Sequence, residues 1–280
     1  MKLVSYRIGG RPSFGLLQVG GILDLAPRLG VDSLRTLLGE GGLPRAQALR
    51  NEPPDLAADE VALCPVIPDP ATILCVGINY EDHRLETQRP VMDYPTIFLR
   101  GRESLQAHGQ PLLIPRESGK FDYEGELAVV IGTGGRRIDE GDAWAHVAGV
   151  SCFNEGSVRD WQNHTQQFTP GKNFPHTGAF GPALVTLDEL PADHILRLET
   201  RLNGTVVQSA STDQMIFSIP RQIAYISTFM TLQAGDVLVT GTPGGVGARR
   251  NPPLWLKDGD EVEVEISHVG VLRNRCLKEV

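Results

Sequence analysis

The length, composition and charge of the chain exclude several classes of protein. Its 280 residues are 41% hydrophobic and 21% charged, which is typical of a globular protein with one large domain or with one domain and a small appendage. The 26 Lys and Arg against 34 Asp and Glu give a net charge of -8. That balance argues against a nucleic-acid-binding protein, which needs a basic surface to displace counterions from phosphates. The 31 glycines and 20 prolines indicate many turns and a β-rich chain.

The ends and the cysteines of the chain give expectations about its compartment. The start, MKLVSYRIGG, has no apolar stretch of the kind found in signal peptides, and no run approaches 18 apolar residues. The four cysteines are scattered without a CxxC pair, which argues against a zinc or redox motif. We therefore expect a cytoplasmic protein that does not associate with a membrane.

The first 65 residues differ from those that follow. Short strands around a Gly20-Gly21 turn are followed by Ser33, which is placed to cap a short helix. A polar, proline-rich stretch at 51–55 then leads towards residue 71. The pattern predicts a small N-terminal β-rich domain over 1–65 and a catalytic domain over 71–280.

Strand patterns dominate the larger part of the chain. Apolar runs alternate with turns, and Asn203-Gly204 is a hairpin dipeptide. Helical spacing predicts one clear helix from Ile219 to Met230, and a second, short one covers Asp139 to Val147. Because strands and helices do not alternate regularly, a doubly wound sheet or a TIM barrel is disfavoured. The predicted class is a mixed α/β, β-rich fold.

Two glutamates stand in an unusual place. Glu124 and Glu126 share one face of a predicted strand whose continuation, residues 127–131, is apolar on both faces. Like charges in a buried strand need a cation or a shifted pKa. In the segment 261–265, by contrast, three glutamates alternate regularly with Val and form an ordinary solvated face. Glu124 and Glu126 therefore have two interpretations, a solvated strand start or ligands of a hard cation such as Mg²⁺ or Mn²⁺.

Five segments, in register over about residues 72–275, resemble the fumarylacetoacetate hydrolase (FAH) superfamily. They are FDYEGELAVVIG at 121–132, VGINYEDH at 76–83, GKNF at 171–174, TGTPGGVG at 240–247, and the Asn203-Gly204 to Gln208 hairpin with MIFS at 215–218. The resemblance implies a mixed β-sandwich roll, a homodimer and a Mg²⁺ or Mn²⁺ held by three acidic residues. The N-terminal 65 residues are similar to the small variable domain of many members.

The resemblance also implies a set of site residues. The metal ligands would be Glu124, Glu126 and Glu155, although Glu155 and Gly156 stand where an Asp and a bulkier residue are usual. His83 and Glu86, one helical turn apart, would activate a water. Lys172 would neutralise developing enolate charge. Gly241, Thr242 and Gln208 would contact the substrate. His164 and His176 flank the Lys172 loop and could face the site, but hydrogen bonds within the loop are the favoured expectation for both.

The leading hypothesis is a metal-dependent hydrolase that cleaves a C–C bond in a 2,4-dioxo acid such as an acylpyruvate and releases a 2-oxo acid such as pyruvate. The alternative is a decarboxylase or an isomerase or hydratase of 2-oxo acids on the same metal site. A third hypothesis is a catalytically silent binding protein, since Glu155 could signal a lost metal. The glycine-rich segment 241–247 is interpreted either as a substrate contact or as a turn only.

Overall fold

The computed structural model describes residues 1–280, and most of its regular structure is β. The strands are β1 (Lys2–Ile8), β2 (Arg11–Gln18), β3 (Gly21–Asp24), β4 (Ala62–Leu63), β5 (Ile73–Gly77), β6 (Thr96–Arg100), β7 (Leu105–Gln106), β8 (Leu112–Ile114), β9 (Phe121–Asp122), β10 (Gly125–Ile131), β11 (Val147–Glu155), β12 (Ser157–Val158), β13 (Gly178–Thr186), β14 (Arg197–Leu202), β15 (Thr205–Ser211), β16 (Val237–Val239), β17 (Glu261–Ile266) and β18 (Gly270–Lys278).

Seven α-helices, most of them short, connect these strands. They are α1 (Ala26–Leu29), α2 (Leu34–Gly39), α3 (Leu43–Ala48), α4 (Glu81–Glu86), α5 (Arg159–Gln162), α6 (Thr169–Lys172) and α7 (Ile219–Phe229). None of the helices is long and apolar enough to cross a membrane.

The strands form one large mixed sheet, one smaller sheet and one short pair. The large sheet has eleven strands, nine of them in the order β3-β2-β1-β13-β11-β10-β16-β5-β6, with β4 beside β1 and β7 beside β13. The second sheet has five strands in the order β15-β14-β17-β18-β8, and β9 pairs with β12. The mixed α/β, β-rich class is therefore confirmed.

Strand β10 lies in the middle of the large sheet and is buried on both faces. Leu127 and Val129 belong to a core that includes apolar residues of the five-stranded sheet and of α7. Ala128 and Val130 belong to a second core, shared with α2 and the N-terminal strands. This double burial is what the run of apolar residues at 127–131 predicted.

The N-terminal segment is part of the same sheet. Strand β1 pairs antiparallel with β13, with Lys2 opposite Val185 and Leu3 opposite Leu184. Edge strands present unpaired backbone groups, and β1 satisfies those of β13. The division into 1–65 and 71–280 remains a prediction, but these two parts share one hydrogen-bonded sheet and one core.

Several local expectations agree with the structure. The Ser33 hydroxyl accepts a hydrogen bond from the Thr36 amide and caps α2. Asn203 and Gly204 both have positive φ in the turn between β14 and β15, as a two-residue hairpin requires. A 3₁₀ helix at Glu140–His146 stands where a short helix was expected. The glutamates of β17 alternate with buried Val and Ile residues and lie on its outer face.

The glycine after Glu155 has a steric role, which generates a stability prediction. A Cβ at Gly156 would lie 2.0 Å from the Thr177 carbonyl oxygen and 2.8 Å from the Phe121 ring. We expect Gly156→Ala to lower the free energy of unfolding by about 1–3 kcal/mol, because an overpacked core forces its neighbours to move. Urea titration with circular dichroism would measure the change. Gly141→Ala is the control, since nothing lies within 4 Å of the Cβ it would add; equal stability of the two variants would contradict the prediction.

Candidate active site

Three carboxylates meet on one face of the large sheet. Glu126 on β10 is directly opposite Phe153 on β11, so Glu124 and Glu155, each two residues away, point to the same side. One carboxylate oxygen from each glutamate lies within 4.8 Å of the others. All three are buried, with at most 4% of any residue exposed. The interpretation of Glu124 as the solvated start of a strand is therefore wrong.

Lys172 bridges two of these carboxylates. Its Nζ donates to Oε2 of Glu124 at 2.5 Å and to Oε2 of Glu155 at 2.8 Å. The residue ends the short helix α6, where a loop was expected, and is fully buried. Burial alone would lower the pKa of Lys172, but Glu124 and Glu155 outweigh it and raise the pKa. Lys172 is thus held as a cation inside the site.

A second ion-pair network lies beside the cluster, and sequence reasoning missed it. Arg159 Nε donates to Asp122 at 2.8 Å, and its NH2 group lies 2.7 Å from Oε1 of Glu124. Asp122 also accepts hydrogen bonds from the Gly247 and Ala248 amides. The spacing of Asp122, two residues before Glu124, could have shown that it extends the same acidic face. Nothing in the sequence placed Arg159 beside it.

The pKa values of the cluster show an imbalance of charge. Burial works against ionisation of Glu124, but Arg159 and Lys172 more than compensate and lower its pKa. For Glu126, burial and the neighbouring Glu155 and Glu124 raise the pKa well above its usual range. A carboxyl group in that position either keeps a proton or needs another cation.

The donor set fits a hard divalent cation. All the converging atoms are carboxylate oxygens, with no His or Cys among them, which suits Mg²⁺ or Mn²⁺. Oε1 of Glu155 is buried and has no hydrogen-bond partner. Arg100 NH1 is 3.8 Å from this oxygen, too far for a hydrogen bond. Glu124, Glu126 and Glu155 could therefore hold such an ion.

His83 and Glu86 form a dyad on one face of α4. Nδ1 of His83 and Oε1 of Glu86 are 2.6 Å apart, and the second oxygen of Glu86 accepts from the Gly245 amide at 3.0 Å. His83 is largely buried and lines the same cavity as the carboxylates. With Nδ1 oriented by Glu86, the other ring nitrogen is left for a substrate or a water.

The backbone amides of the glycine-rich loop at 240–248 donate hydrogen bonds to acidic side chains of the site. The amides of Gly241, Gly245 and Gly247 donate to Glu126, Glu86 and Asp122 respectively. Gly241 has a φ of 104° and its added Cβ would lie 2.6 Å from that of Asn79, so only glycine fits there. The Gly241 amide thus donates to Glu126, and the expected contact of Gly241 with the substrate remains a prediction.

Thr242 and Gln208 differ in their access to the cavity. Thr242 lines it, although its hydroxyl already donates to the Gly125 carbonyl oxygen. Gln208 is buried outside the cavity wall: its amide oxygen accepts from the Gly125 N–H, and its nitrogen donates to Thr242 and to Pro243. Its side chain thus braces β10 against the loop, and a contact of Gln208 with the substrate remains a prediction.

The remaining walls of the cavity are mixed in character. It encloses about 260 Å³ and is lined on the apolar side by Val76, Phe98, Phe168 and Val246. His164 packs against Trp161, with ring centroids 4.9 Å apart. His176 is held through its backbone, donating to Glu103 and accepting from Leu113. Neither histidine lines the cavity.

Residues 72–277, which include all of these side chains, match the family described as Fumarylacetoacetate (FAA) hydrolase C-terminal. The chain belongs to this family. Oxaloacetate tautomerase FAHD2A of Homo sapiens is 43% identical over 288 residues, which cover 99% of this chain and 92% of the relative. Oxaloacetate tautomerase YisK of Bacillus subtilis is 41% identical over 220 residues, which cover 77% and 73%.

Solved structures share the fold over the full length. A putative HpcE protein from Mycobacterium smegmatis superposes with a TM-score of 0.89 at 34% identity, covering 100% of both chains. A fumarylacetoacetate hydrolase from Exiguobacterium antarcticum gives 0.85 at 34% identity, again with 100% coverage. Maleylpyruvate hydrolase from Sphingobium sp. SYK-6, solved with manganese(II) and pyruvate, gives 0.84 at 24% identity over 100% of both chains and shares the fold. The expected sandwich-roll architecture of the family is confirmed.

The bridging role of Lys172 generates a pH-dependent prediction. Since Lys172 and Arg159 lower the pKa of Glu124 in the folded state, this carboxyl group contributes stability above its unfolded pKa of about 4.3, and the contribution is lost as the pH falls further. Lys172→Met should therefore reduce the free energy of unfolding at pH 7 by roughly 3 kcal/mol. The difference from the wild type should narrow at pH 4.

Urea unfolding of chelator-treated protein at both pH values measures this effect. Lys257→Met is the matched control, because Lys257 is exposed and lies outside the cavity lining. A deficit of the same size at pH 7 and pH 4 would mean that Lys172 acts through packing and would contradict the electrostatic interpretation.

Proposed function

We propose that this protein is a divalent-metal-dependent tautomerase that interconverts the keto and enol forms of oxaloacetate. The observation that carries the proposal is the position of the His83–Glu86 dyad and Lys172 in one cavity with three converging carboxylates. Tautomerisation needs a base that moves a proton between carbon and oxygen and positive charge beside the oxygen. The cavity supplies both.

The relatives favour this reaction over the hydrolysis expected from the sequence. Those that match almost the whole chain at about 40% identity carry the name oxaloacetate tautomerase. A tautomerase needs no attacking water, and the dyad is equally suited to moving a substrate proton. The proposal thus corresponds to the isomerase alternative of the sequence interpretation.

The metal would be held by Glu124, Glu126 and Glu155. When bound, a divalent ion acts as a Lewis acid that polarises the oxygens of a 2-oxo acid. The raised pKa of Glu126 and the unpartnered oxygen of Glu155 are the features that favour an ion there. The manganese(II) and pyruvate in maleylpyruvate hydrolase also favour a metal and a 2-oxo acid in this fold.

Different residues of the protein move the proton and stabilise the charge that develops. His83, held in one tautomer by Glu86, removes a proton from C3 of oxaloacetate and delivers it to the oxygen on C2, so that one C–H bond breaks and one O–H bond forms. The Lys172 ammonium group stabilises the negative charge that develops on that oxygen. The apolar wall formed by Phe98 and Phe168 limits the access of water.

Cleavage of a C–C bond in a 2,4-dioxo acid remains a second candidate function. It is favoured by the same 2.6 Å contact between His83 and Glu86, which would orient the imidazole to activate a water. The product then includes pyruvate or a similar 2-oxo acid. Release of pyruvate from an acylpyruvate, followed with lactate dehydrogenase, would distinguish this reaction from tautomerisation.

A homodimer is also part of the proposal. Tyr94 stacks on Tyr225 at 5.7 Å, Tyr225 contacts Phe229 at 5.6 Å, and Tyr94 and Phe229 are more than half exposed. An exposed aromatic patch of this kind is typical of an interface. Light scattering of the purified protein would give the mass.

The cytoplasmic location stays a prediction, and the vertebrate relatives are named as mitochondrial proteins.

Metal binding gives the first test of this proposal. Protein stripped with a chelator should bind Mn²⁺ in calorimetry and should become more stable in its presence. Glu155→Ala should weaken binding by more than about 100-fold, since loss of an outer-shell partner alone costs about 10–100-fold. Glu265→Ala, on the outer face of β17, is the control. Unchanged Mn²⁺ affinity in Glu155→Ala would exclude Glu155 as a ligand, and no binding by the wild type would overturn the proposal.

The dyad gives the second test. His83→Ala and Glu86→Gln should each lower kcat for the decay of enol-oxaloacetate by about 100-fold or more, because they remove the base or its orienting partner. Ultraviolet absorbance of the enol follows the reaction. His146→Ala is the control, since His146 hydrogen-bonds the Thr133 carbonyl oxygen away from the cavity. Full activity of His83→Ala in the metal-loaded enzyme would exclude His83 as the base.

A further inference from the structure

The outer wall of the cavity carries three cationic side chains that the reaction described above does not use. Arg89 lies just beyond α4, Lys120 just before β9, and Arg249 at the end of the glycine-rich loop. All three line the cavity and are exposed. Three separate parts of the chain thus bring positive charge to one opening, and we refer to these residues as the cationic rim.

The cationic rim has no acidic partner within the protein. Some exposed arginines pair with a neighbouring acid, as Arg102 does with Glu103 and Arg116 with Glu117, whereas no rim residue forms an ion pair. The one acid on this wall outside the metal cluster, Asp160, accepts a hydrogen bond from the Ser118 hydroxyl. Because the chain has a net charge of -8, the rim is a local reversal of its charge.

The positions of the charges within the cavity point to the shape of the ligand. The deep end holds the three carboxylates and Lys172, which suit the 2-oxo acid group of the proposed substrate. The cavity is also lined by Val76, Phe98 and Val246, which offer no charge. Arg159 already pairs with Asp122 and Glu124. The free positive charge of the cavity therefore lies at the rim.

We propose that Arg89, Lys120 and Arg249 select for a second carboxylate on the substrate, so that the enzyme prefers dianionic 2-oxo acids to monoanionic ones of the same size. This inference rests on the proposed function, which identifies the group bound beside the three carboxylates as a 2-oxo acid. The rim would act on binding, since opposite charge at a cavity mouth raises the local concentration of the ligand and its association rate by about 10–1,000-fold at low salt. It would not act on the proton transfer itself.

Binding of a matched pair of ligands tests the proposal. Oxaloacetate and its 4-methyl monoester share a skeleton and differ by the distal charge, and calorimetry on the Mn²⁺-loaded enzyme gives Kd for each. The wild type should bind oxaloacetate at least about tenfold more tightly than the monoester at low salt, and the preference should shrink as salt is added. The double variant Lys120→Glu/Arg249→Glu should lose the preference because its Kd for oxaloacetate rises while its Kd for the monoester does not. Arg116→Glu reverses the charge of another exposed residue, one that does not line the cavity, and should retain the preference.

The outcomes separate this inference from the function on which it rests. Equal affinity of the wild type for the two ligands, or an undiminished preference in the double variant, overturns the role of the rim. A preference lost equally in Arg116→Glu also overturns it, because the effect would then be one of overall charge. If the wild type shows the preference but does not accelerate decay of enol-oxaloacetate, the selection by the rim stands and the tautomerase assignment fails.

Discussion

Burying three carboxylates within 4.8 Å of one another is the constraint on which the rest of the site depends. Each ionised group loses hydration and repels the other two, and the structure contains such a cluster only because buried cations face it. Lys172 and Arg159 neutralise Glu124, and Lys172 also reaches Glu155. Glu126 receives the least compensation, and its pKa is raised accordingly. The position of this uncompensated carboxyl group is the physical reason to expect a divalent cation at the cluster.

The glycine-rich loop connects this cluster to the dyad. Its amides hold Glu126, Glu86 and Asp122 along a stretch of seven residues, so one backbone segment orients a proposed metal ligand, the partner of His83 and the partner of Arg159. A side chain at Gly241 would strike Asn79, and one at Gly247 would lie 2.0 Å from the Leu254 carbonyl oxygen. The glycines are therefore needed for close approach of the backbone to the acids of the site.

The sequence predicted the elements whose signals are local. The capped helix α2, the Asn203-Gly204 hairpin, α7 and the doubly buried β10 each follow from periodicity or turn chemistry within a few residues. The three carboxylates were predicted from the face shared by Glu124 and Glu126 and from the family resemblance.

What could not be predicted depends on contacts between distant segments. Arg159 meets Asp122 across 37 residues and Gln208 meets Gly125 across 83, and no local pattern reports such pairs. Gln208 shows the same difficulty, because a buried amide that braces a strand and one that binds a ligand look the same in a sequence.

The two candidate reactions share most of this machinery, and the structure indicates where they would differ. Both need negative charge on the substrate oxygen to be stabilised by Lys172 and both use His83 as a base. They differ in whether the base acts on a C–H bond or on a water, and that choice depends on what occupies the space in front of the imidazole. A compact dianion held between the carboxylate cluster and the cationic rim is small enough for a cavity of about 260 Å³. A longer dioxo acid with an uncharged acyl end would gain little from the rim. The charge distribution of the cavity therefore favours binding of a small dicarboxylic acid, which is the substrate class of the proposed proton transfer.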